Sequence, residues 1–439
     1  MKKTKSLMPP NPTKIHQIQL ENGLTILLKE IHSAPIISQW IWYRVGSRNE
    51  KPGITGISHF VEHILFKGTS QYPADVIDHA IAREGGMMNG MTFLDWTTFY
   101  ETMPSDKIDF SLHMEADRMV NCLFTAEEIE TERTVILSER EGNENEPLFR
   151  LSEAVQAEAF PSHPYHFEVI GTQKDISTVS REALIQHYQR YYSPSNALVA
   201  LAGDFETDEM EKRFREIYEG IPSALQPSSQ IVPDRPPETE KEIIIEGPGE
   251  TTYLQIVYRA PRAAEKDFFT LSVLDSILSG PTSLNMFGSG ISNKTSRLYQ
   301  ALVEKDLAVN VSGGLTATTD PYLFDISATI HPQKKARDVI RAIDDEINRL
   351  QSHKITSEEI QMAIKQAKAL FAYGSENITN QAFWMGYSNM FATHAWFESY
   401  LEKLEKVTAE EIINAAQSFL NASHRVIGIY QPRKTRGNR

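Results

Sequence analysis

Cysteine is nearly absent. Cys122 is the only one in 439 residues, which excludes an intramolecular disulfide, a zinc knuckle and any cluster of thiolate ligands. A chain without disulfides suits a reducing cytosol. No apolar run approaches the ~18 residues that a membrane-crossing helix needs. The opening Met1-Lys2-Lys3 resembles the start of a signal peptide, but no apolar stretch follows it. The expected location is therefore cytoplasmic. Positive charge is also in deficit: 44 Lys and Arg stand against 58 Asp and Glu, a net charge of -14. A phosphate backbone would be repelled, so nucleic acid is excluded as a partner. Cationic peptides or a metal ion remain admissible. No phosphate-cradling motif is present; Gly288-Ser289-Gly290 follows no strand and fits the glycine- and serine-bearing loop 280–294.

What is present is a chain too long for one ordinary core, with two domains of about 200 residues as the default. Hydrophobic content of 41% and charged content of 23% describe a soluble globular protein. Pro222, Pro227, Pro233, Pro236 and Pro237 crowd one stretch, which reads as a linker. The expected division is 1–222, a linker over 223–240, and 241–439. A repeat crosses it. Val179-Ser180 opens a predicted helix through Leu184 and Tyr188 that turns into a strand through Val199 and Leu201. Adding 228 to these numbers reaches Val407-Thr408, Ile412, Ala416, Ile427 and Ile429 without a gap. The expected fold class is α+β: a tandem duplication of two α/β-sandwich domains, each a mostly antiparallel sheet with helices packed on one face.

The stretch His59-Phe60-Val61-Glu62-His63 carries the chemistry. Histidines four apart share a helix face, and the glutamate three after the first joins them. Two imidazoles and a carboxylate provide nitrogen ligands for zinc and a base for water. The order His-x-x-Glu-His is one of the zinc-protease signatures. Alone, the pattern is equally consistent with polar residues riding on a buried helix, so a third ligand is required. Glu132 and Glu139 lie seven apart, two helical turns, near one face. Glu139 suits a ligand and Glu132 a supporting residue. The segment Glu139 to Glu146 itself carries four glutamates, however, and spacing does not choose among them.

At this point the chain resembles the pitrilysin/insulinase family of zinc peptidases, in the short-subunit branch that includes mitochondrial processing peptidase and bacterial relatives. The resemblance rests on His59 to His63 and on Glu139, 76 positions after His63, within Glu-Arg-Thr-Val-Ile-Leu-Ser-Glu. It extends to Gly85-Gly86-Met87-Met88-Asn89-Gly90-Met91-Thr92, His163-Pro164-Tyr165, Tyr192-Ser193-Pro194-Ser195-Asn196 and Ser296-Arg297-Leu298-Tyr299. The resemblance implies that His59, His63 and Glu139 hold one zinc ion per chain. It implies that Glu62 is the general base and that Glu132 orients the site. The strand through Asn89, Gly90, Met91 and Thr92 would be a platform on which an unfolded oligopeptide adds as an edge strand.

One stretch departs from the family. Many members carry an arginine and a tyrosine in the second domain that hold the substrate carbonyl. Here Val303 and Val309 stand at those places, and valine has no donor for a developing oxyanion. Arg297 and Tyr299 are nearby but fall at other family positions. The expectation is a zinc metalloendopeptidase that serves as the catalytic subunit of a heterodimer. A homologous partner would complete a closed chamber, and the isolated chain would cleave peptides poorly. The alternatives are a homodimer with other donors, and a non-catalytic peptide-binding or scaffold subunit.

Overall fold

Short runs rich in β-branched and aromatic residues recur along the chain, as strands require, and they pair into two sheets. The computed structural model describes residues 14–224, 231–232, 234–284, 291–352 and 355–433. The N-terminal stretch, Gly288-Ser289-Gly290, and positions 225–230 and 233 of the expected linker lie outside the described residues.

The first sheet contains β1 (His16–Gln19), β2 (Thr25–Glu30), β3 (Ile36–Tyr43), β4 (Met87–Thr92), β5 (Thr97–Pro104) and β6 (Ala197–Gly203), in the order β1-β2-β6-β3-β5-β4. The second contains β7 (Lys241–Gly247), β8 (Tyr253–Arg259), β9 (Ala308–Leu315), β10 (Leu323–Ile330) and β11 (Arg425–Pro432), in the order β7-β11-β8-β10-β9. Without β1, the two orders correspond strand for strand. Each has one parallel pair, β2 with β6 and β7 with β11, and antiparallel neighbours beyond it. Two antiparallel-rich sheets in tandem agree with the expected α+β duplication.

Among the described residues of the first half, eight α-helices are interspersed with the strands: α1 (Ile57–Leu65), α2 (Ala74–Arg83), α3 (Ile108–Asn121), α4 (Ala126–Glu144), α5 (Pro147–Ala159), α6 (Gln173–Thr178), α7 (Arg181–Tyr191) and α8 (Thr207–Tyr218). The described second half adds α9 (Lys266–Leu278), α10 (Ala336–Ser352), α11 (Ser357–Gly374), α12 (Ile378–Phe391), α13 (His394–Glu398), α14 (Tyr400–Glu405) and α15 (Ala409–Phe419). The 228-residue repeat reappears in the caps. Ser180 Oγ accepts from Ala183 N before α7, and Thr408 Oγ1 accepts from Glu411 N before α15. The stretch Ser296–Glu304, which reads as a short helix, forms a π-helical turn at Tyr299–Val303.

Alternation along β3 sends its side chains to two different cores. Ile37, Ile41 and Tyr43 pack with Phe60 and Ile64 of α1, Leu112 of α3 and Leu184 of α7. Trp40 and Trp42 point the other way and meet Phe383 of α12, at ring distances of 5.2 and 5.5 Å. The far face of the first sheet is thus covered by a helix from the second half. The exchange is reciprocal: Leu151 and Val155 of α5 pack on Val257 of β8 and on Val426 and Tyr430 of β11. Gly428 permits this approach, since a Cβ there would lie 2.8 Å from Leu151 Cδ1. Each buried aliphatic or phenyl side chain at such a contact contributes roughly 1.5–3 kcal/mol. Among the described residues no helix is long and apolar enough to cross a membrane.

Candidate metal centre

The helix α1 begins without a side-chain cap of its own. Gly56 precedes it at φ 83°, a left-handed conformation that favours glycine. The first amides are met by buried Glu50, whose Oε2 accepts from Gly56 N at 2.7 Å and Oε1 from Ser58 N at 2.8 Å. A carboxylate at this end also opposes the helix dipole. Burial nevertheless pushes Glu50 up to about 7, against the pull of those amides. Asp175 of α6 fixes the lead-in, accepting from Gly53 N, Thr55 N and Thr55 Oγ1 at 2.9, 3.0 and 2.7 Å. Behind the helix, Ser58 Oγ lies 3.2 Å from His187 Nε2.

His59, Glu62 and His63 all ride on α1. The two imidazole rings are 4.6 Å apart, and Nε2 of each lies 3.8 Å from the same Oε2 of Glu139, on α4. Tetrahedral zinc with bonds of about 2.0–2.1 Å would set its ligands about 3.3–3.4 Å apart. Each nitrogen therefore needs to close on the Glu139 oxygen by only about half an ångström, and all three donor atoms lie within 4.8 Å of one another. Two nitrogens and a carboxylate oxygen are also a donor set that zinc accepts. Burial, followed by the charge of His63, pushes His59 down to about 3, so its ring is the neutral form that binds metal. Its Nδ1 is buried without a hydrogen-bond partner among the described residues. Glu139 is 44% exposed, so the cluster opens to solvent on the α4 side.

Glu132, two turns before Glu139, stays out of this cluster. Its Oε2 lies 3.0 Å from His63 Nδ1, on the far side of the ring, and its Oε1 lies 2.5 Å from Lys67 Nζ. Burial raises the Glu132 carboxyl, but Lys67 and His63 outweigh it and hold the group below its ordinary value. Lys67 is not among the expected site residues. Its place four after His63, one turn on, is the signal that could have found it.

Glu62 receives a hydrogen bond from Thr92 Oγ1 at 2.8 Å. Burial raises its pKa, while Thr92 and His63 pull it down without cancelling the rise. Thr92 thus serves the helix from the end of β4. Among the described residues that strand ends the first sheet and pairs with β5 alone, which leaves its outer edge without a neighbouring strand there. Gly90 answers to packing: a Cβ would lie 2.8 Å from Phe99 Cδ1 and 2.9 Å from Phe66 Cζ. Asn89 is exposed, and its Oδ1 accepts from Gly90 N at 2.9 Å. Met91 is half-buried against the core shared with α12, Met88 packs on the first core, and Met87 is exposed.

The second-half positions are apart from the cluster in character. Val309 is exposed on β9, and Val303 is half-buried in the π-helical turn. Arg297 is engaged with Glu359, at 2.8 Å from Nε and 2.7 Å from Nη2.

Residues 25–173 match the family model for insulinase (peptidase family M16), and residues 178–367 match the model for the peptidase M16 inactive domain. The chain is 28% identical over 431 residues to an uncharacterised zinc protease of Mycobacterium leprae, covering 95% of this chain and 92% of the relative. It is 26% identical over 375 residues to the zinc protease PqqE of Helicobacter pylori, covering 84% and 82%. The crystal structure of a protease from Helicobacter pylori superposes with a TM-score of 0.88 at 23% identity, over 96% of this chain and 100% of that one. A peptidase M16 inactive domain structure from Pseudomonas fluorescens superposes with a TM-score of 0.84 at 19% identity, over 96% and 98%. His59, Glu62, His63, Glu132 and Glu139 all fall inside the stretch matched by the insulinase model. The chain belongs to peptidase family M16, the insulinase family.

Proposed function

We propose that this protein is a zinc-dependent metalloendopeptidase acting on unfolded oligopeptides. His59, His63 and Glu139 would hold one zinc ion per chain. The observation that carries the reading is the approach of two imidazole nitrogens to one oxygen of Glu139 at 3.8 Å, with a buried carboxylate, Glu62, on the same helix. A zinc ion supplies Lewis acidity toward water and the scissile carbonyl. Glu62 takes a proton from the attacking water and passes it to the leaving amine. Burial that disfavours its charged form suits a carboxylate that must carry this proton between two steps. Thr92 anchors one of its oxygens and restrains its rotation. Glu132 orients His63 and raises the basicity of its ring through Nδ1.

The strand from Asn89 to Thr92 receives the peptide along its unpaired edge, where backbone bonds give affinity with little reading of sequence. Residues 1–222 form the metal-bearing domain, 223–240 the linker, and 241–439 a domain that walls the chamber. Neither Val303 nor Val309 brings a donor to a developing oxyanion. A homologous partner subunit supplies it in a heterodimer, or a pair of identical chains uses other donors. The same valines favour the second reading, a peptide-binding subunit without activity of its own.

The test is Glu62→Gln. The variant should keep its zinc by elemental analysis and lose about 10²–10⁴-fold in peptide cleavage. An unchanged rate removes Glu62 from the base role. A wild-type chain that binds no zinc favours the second reading.

A further inference from the structure

The halves also meet in a polar cluster that neither the metal donors nor the edge strand uses. The loop between β9 and β10 reaches from the second half into the first. Thr319 N donates to Asp95 Oδ2 at 2.8 Å. Asp320 Oδ2 accepts from Arg48 Nε at 2.6 Å and lies 3.1 Å from His163 Nε2. Tyr165 Oη donates to Asp95 Oδ1 at 2.6 Å. Little of this is wet: the side chains of Asp95, Asp320 and Arg48 are 4, 15 and 17% exposed. Burial raises Asp320, but His163 and Arg48 more than offset it and hold it at about 2. It is therefore charged. Ions this deep cost several kcal/mol each unless they are paired, so the pairing is obligatory.

What matters is where the first-half members sit. Arg48 belongs to the 3-10 turn Ser47–Asn49, two residues before Glu50, the carboxylate that caps α1. Its backbone N donates to Leu94 O at 2.8 Å, and Ser47 N donates to Phe93 O at 3.2 Å. Those carbonyls belong to the turn that joins β4 to β5, and Asp95 lies in the same turn. One loop of the second half thus clasps both the lead-in of α1 and the end of β4.

We infer that Asp320 is a positioning residue for α1 and for the β4–β5 turn, acting through Arg48 and supported by the bond from Thr319 to Asp95. Its consequence for catalysis rests on the proposed function. Without the Asp320 carboxylate, Arg48 keeps Asp95 as its acidic partner, at 3.7 Å from Nε to Oδ1, and either closes on it or turns out to water. Either movement draws the lead-in away from its cap on Gly56 and Ser58.

The experiment is Asp320→Asn in the full chain, read by hydrogen exchange of peptides covering 53–60 and 93–97, by thermal midpoint and by peptide cleavage. Exchange over 53–60 should rise about tenfold, equivalent to about 1.4 kcal/mol of local opening, while peptides in β2 and β6 keep wild-type protection. Cleavage should fall about 10- to 100-fold through kcat rather than KM. Arg48→Lys, which keeps the charge and loses the planar fork, should move exchange the same way by less; it provides the readout if Asp320→Asn does not fold. Wild-type protection over 53–60 overturns the inference. So does faster exchange spread evenly over both sheets, the mark of general loosening. A wild-type chain without zinc or activity sinks the proposed function, yet exchange over 53–60 still decides whether Asp320 positions α1.

Discussion

Replacing Glu132 by glutamine asks whether a carboxylate outside the proposed donor set nonetheless sets the affinity for zinc. Glutamine keeps the size of the side chain and changes its bonding. Glu132 now serves two donors with two oxygens: His63 Nδ1 at 3.0 Å and Lys67 Nζ at 2.5 Å. Glutamine has one acceptor oxygen, and its amide nitrogen is a donor. One of the two donors is left facing NH2. The charge-assisted bond lost is worth about 1.5–3 kcal/mol. Lys67 is 31% exposed and can turn to water, so its share is recovered. The share that belongs to His63 is not, because the imidazole is held on both sides. Zinc affinity should therefore fall about 10- to 100-fold, or about 1.4–2.7 kcal/mol. Competition with a chromophoric chelator on the full chain measures it, with fold checked by circular dichroism. Affinity within about twofold of wild type would show that Glu132 does not act through His63. Complete loss of zinc at large excess would refute the reasoning from the other side, since it would make Glu132 a ligand.

Two further predictions concern stability. His187 is buried behind α1, and burial, followed by the charge of Arg190, pushes it down to about 3. In an unfolded chain it titrates near 6.5, so the unfolded state takes the proton first and stability falls as pH drops from 6.5 toward 3. Between pH 7.5 and 5.0 this group alone costs about 2 kcal/mol; His187→Gln should flatten that part of the pH dependence of the denaturant midpoint, and an unchanged slope would refute the assignment. Gly386 of α12 faces the indole of Trp42, which an added Cβ would overlap. Gly386→Ala should lower stability by about 1–3 kcal/mol and shift tryptophan fluorescence, whereas an unaltered thermal midpoint would deny the exchange of helices between halves.

The helix of the proposed metal centre is legible in the sequence because its chemistry is local. His63 stands four positions after His59, and the 3.6-residue turn does the rest. The step from Glu132 to Glu139 is legible for the same reason, as two turns of α4. Which of them joins the histidines is decided by how α4 crosses α1, and no spacing records that. The repeat is legible because a hydroxyl cap and a following strand are local signals, Ser180 and Thr408 alike. The helix Ile378–Phe391 is not. Ala382, Phe383, Trp384, Met385 and Tyr387 are all buried, so the segment has no polar face to set its period. Its polar residues, Thr379, Asn380, Gln381, Ser388 and Asn389, gather on no single face, because the helix lies between its own half and Trp40 and Trp42 of the first sheet. The contact of Arg48 with Asp320 spans 272 residues, and no local pattern joins them. These two failures have one cause and one consequence. The donors of the proposed metal centre are gathered in the first half, but the surfaces that hold the first half in shape are completed by the second. A chain ending at residue 240 would keep every donor and lose both the α12 cover and the Asp320 clasp. The pattern His-x-x-Glu-His thus marks the helix for which metal binding is proposed, while the accuracy with which that helix is held is a property of the duplicated fold.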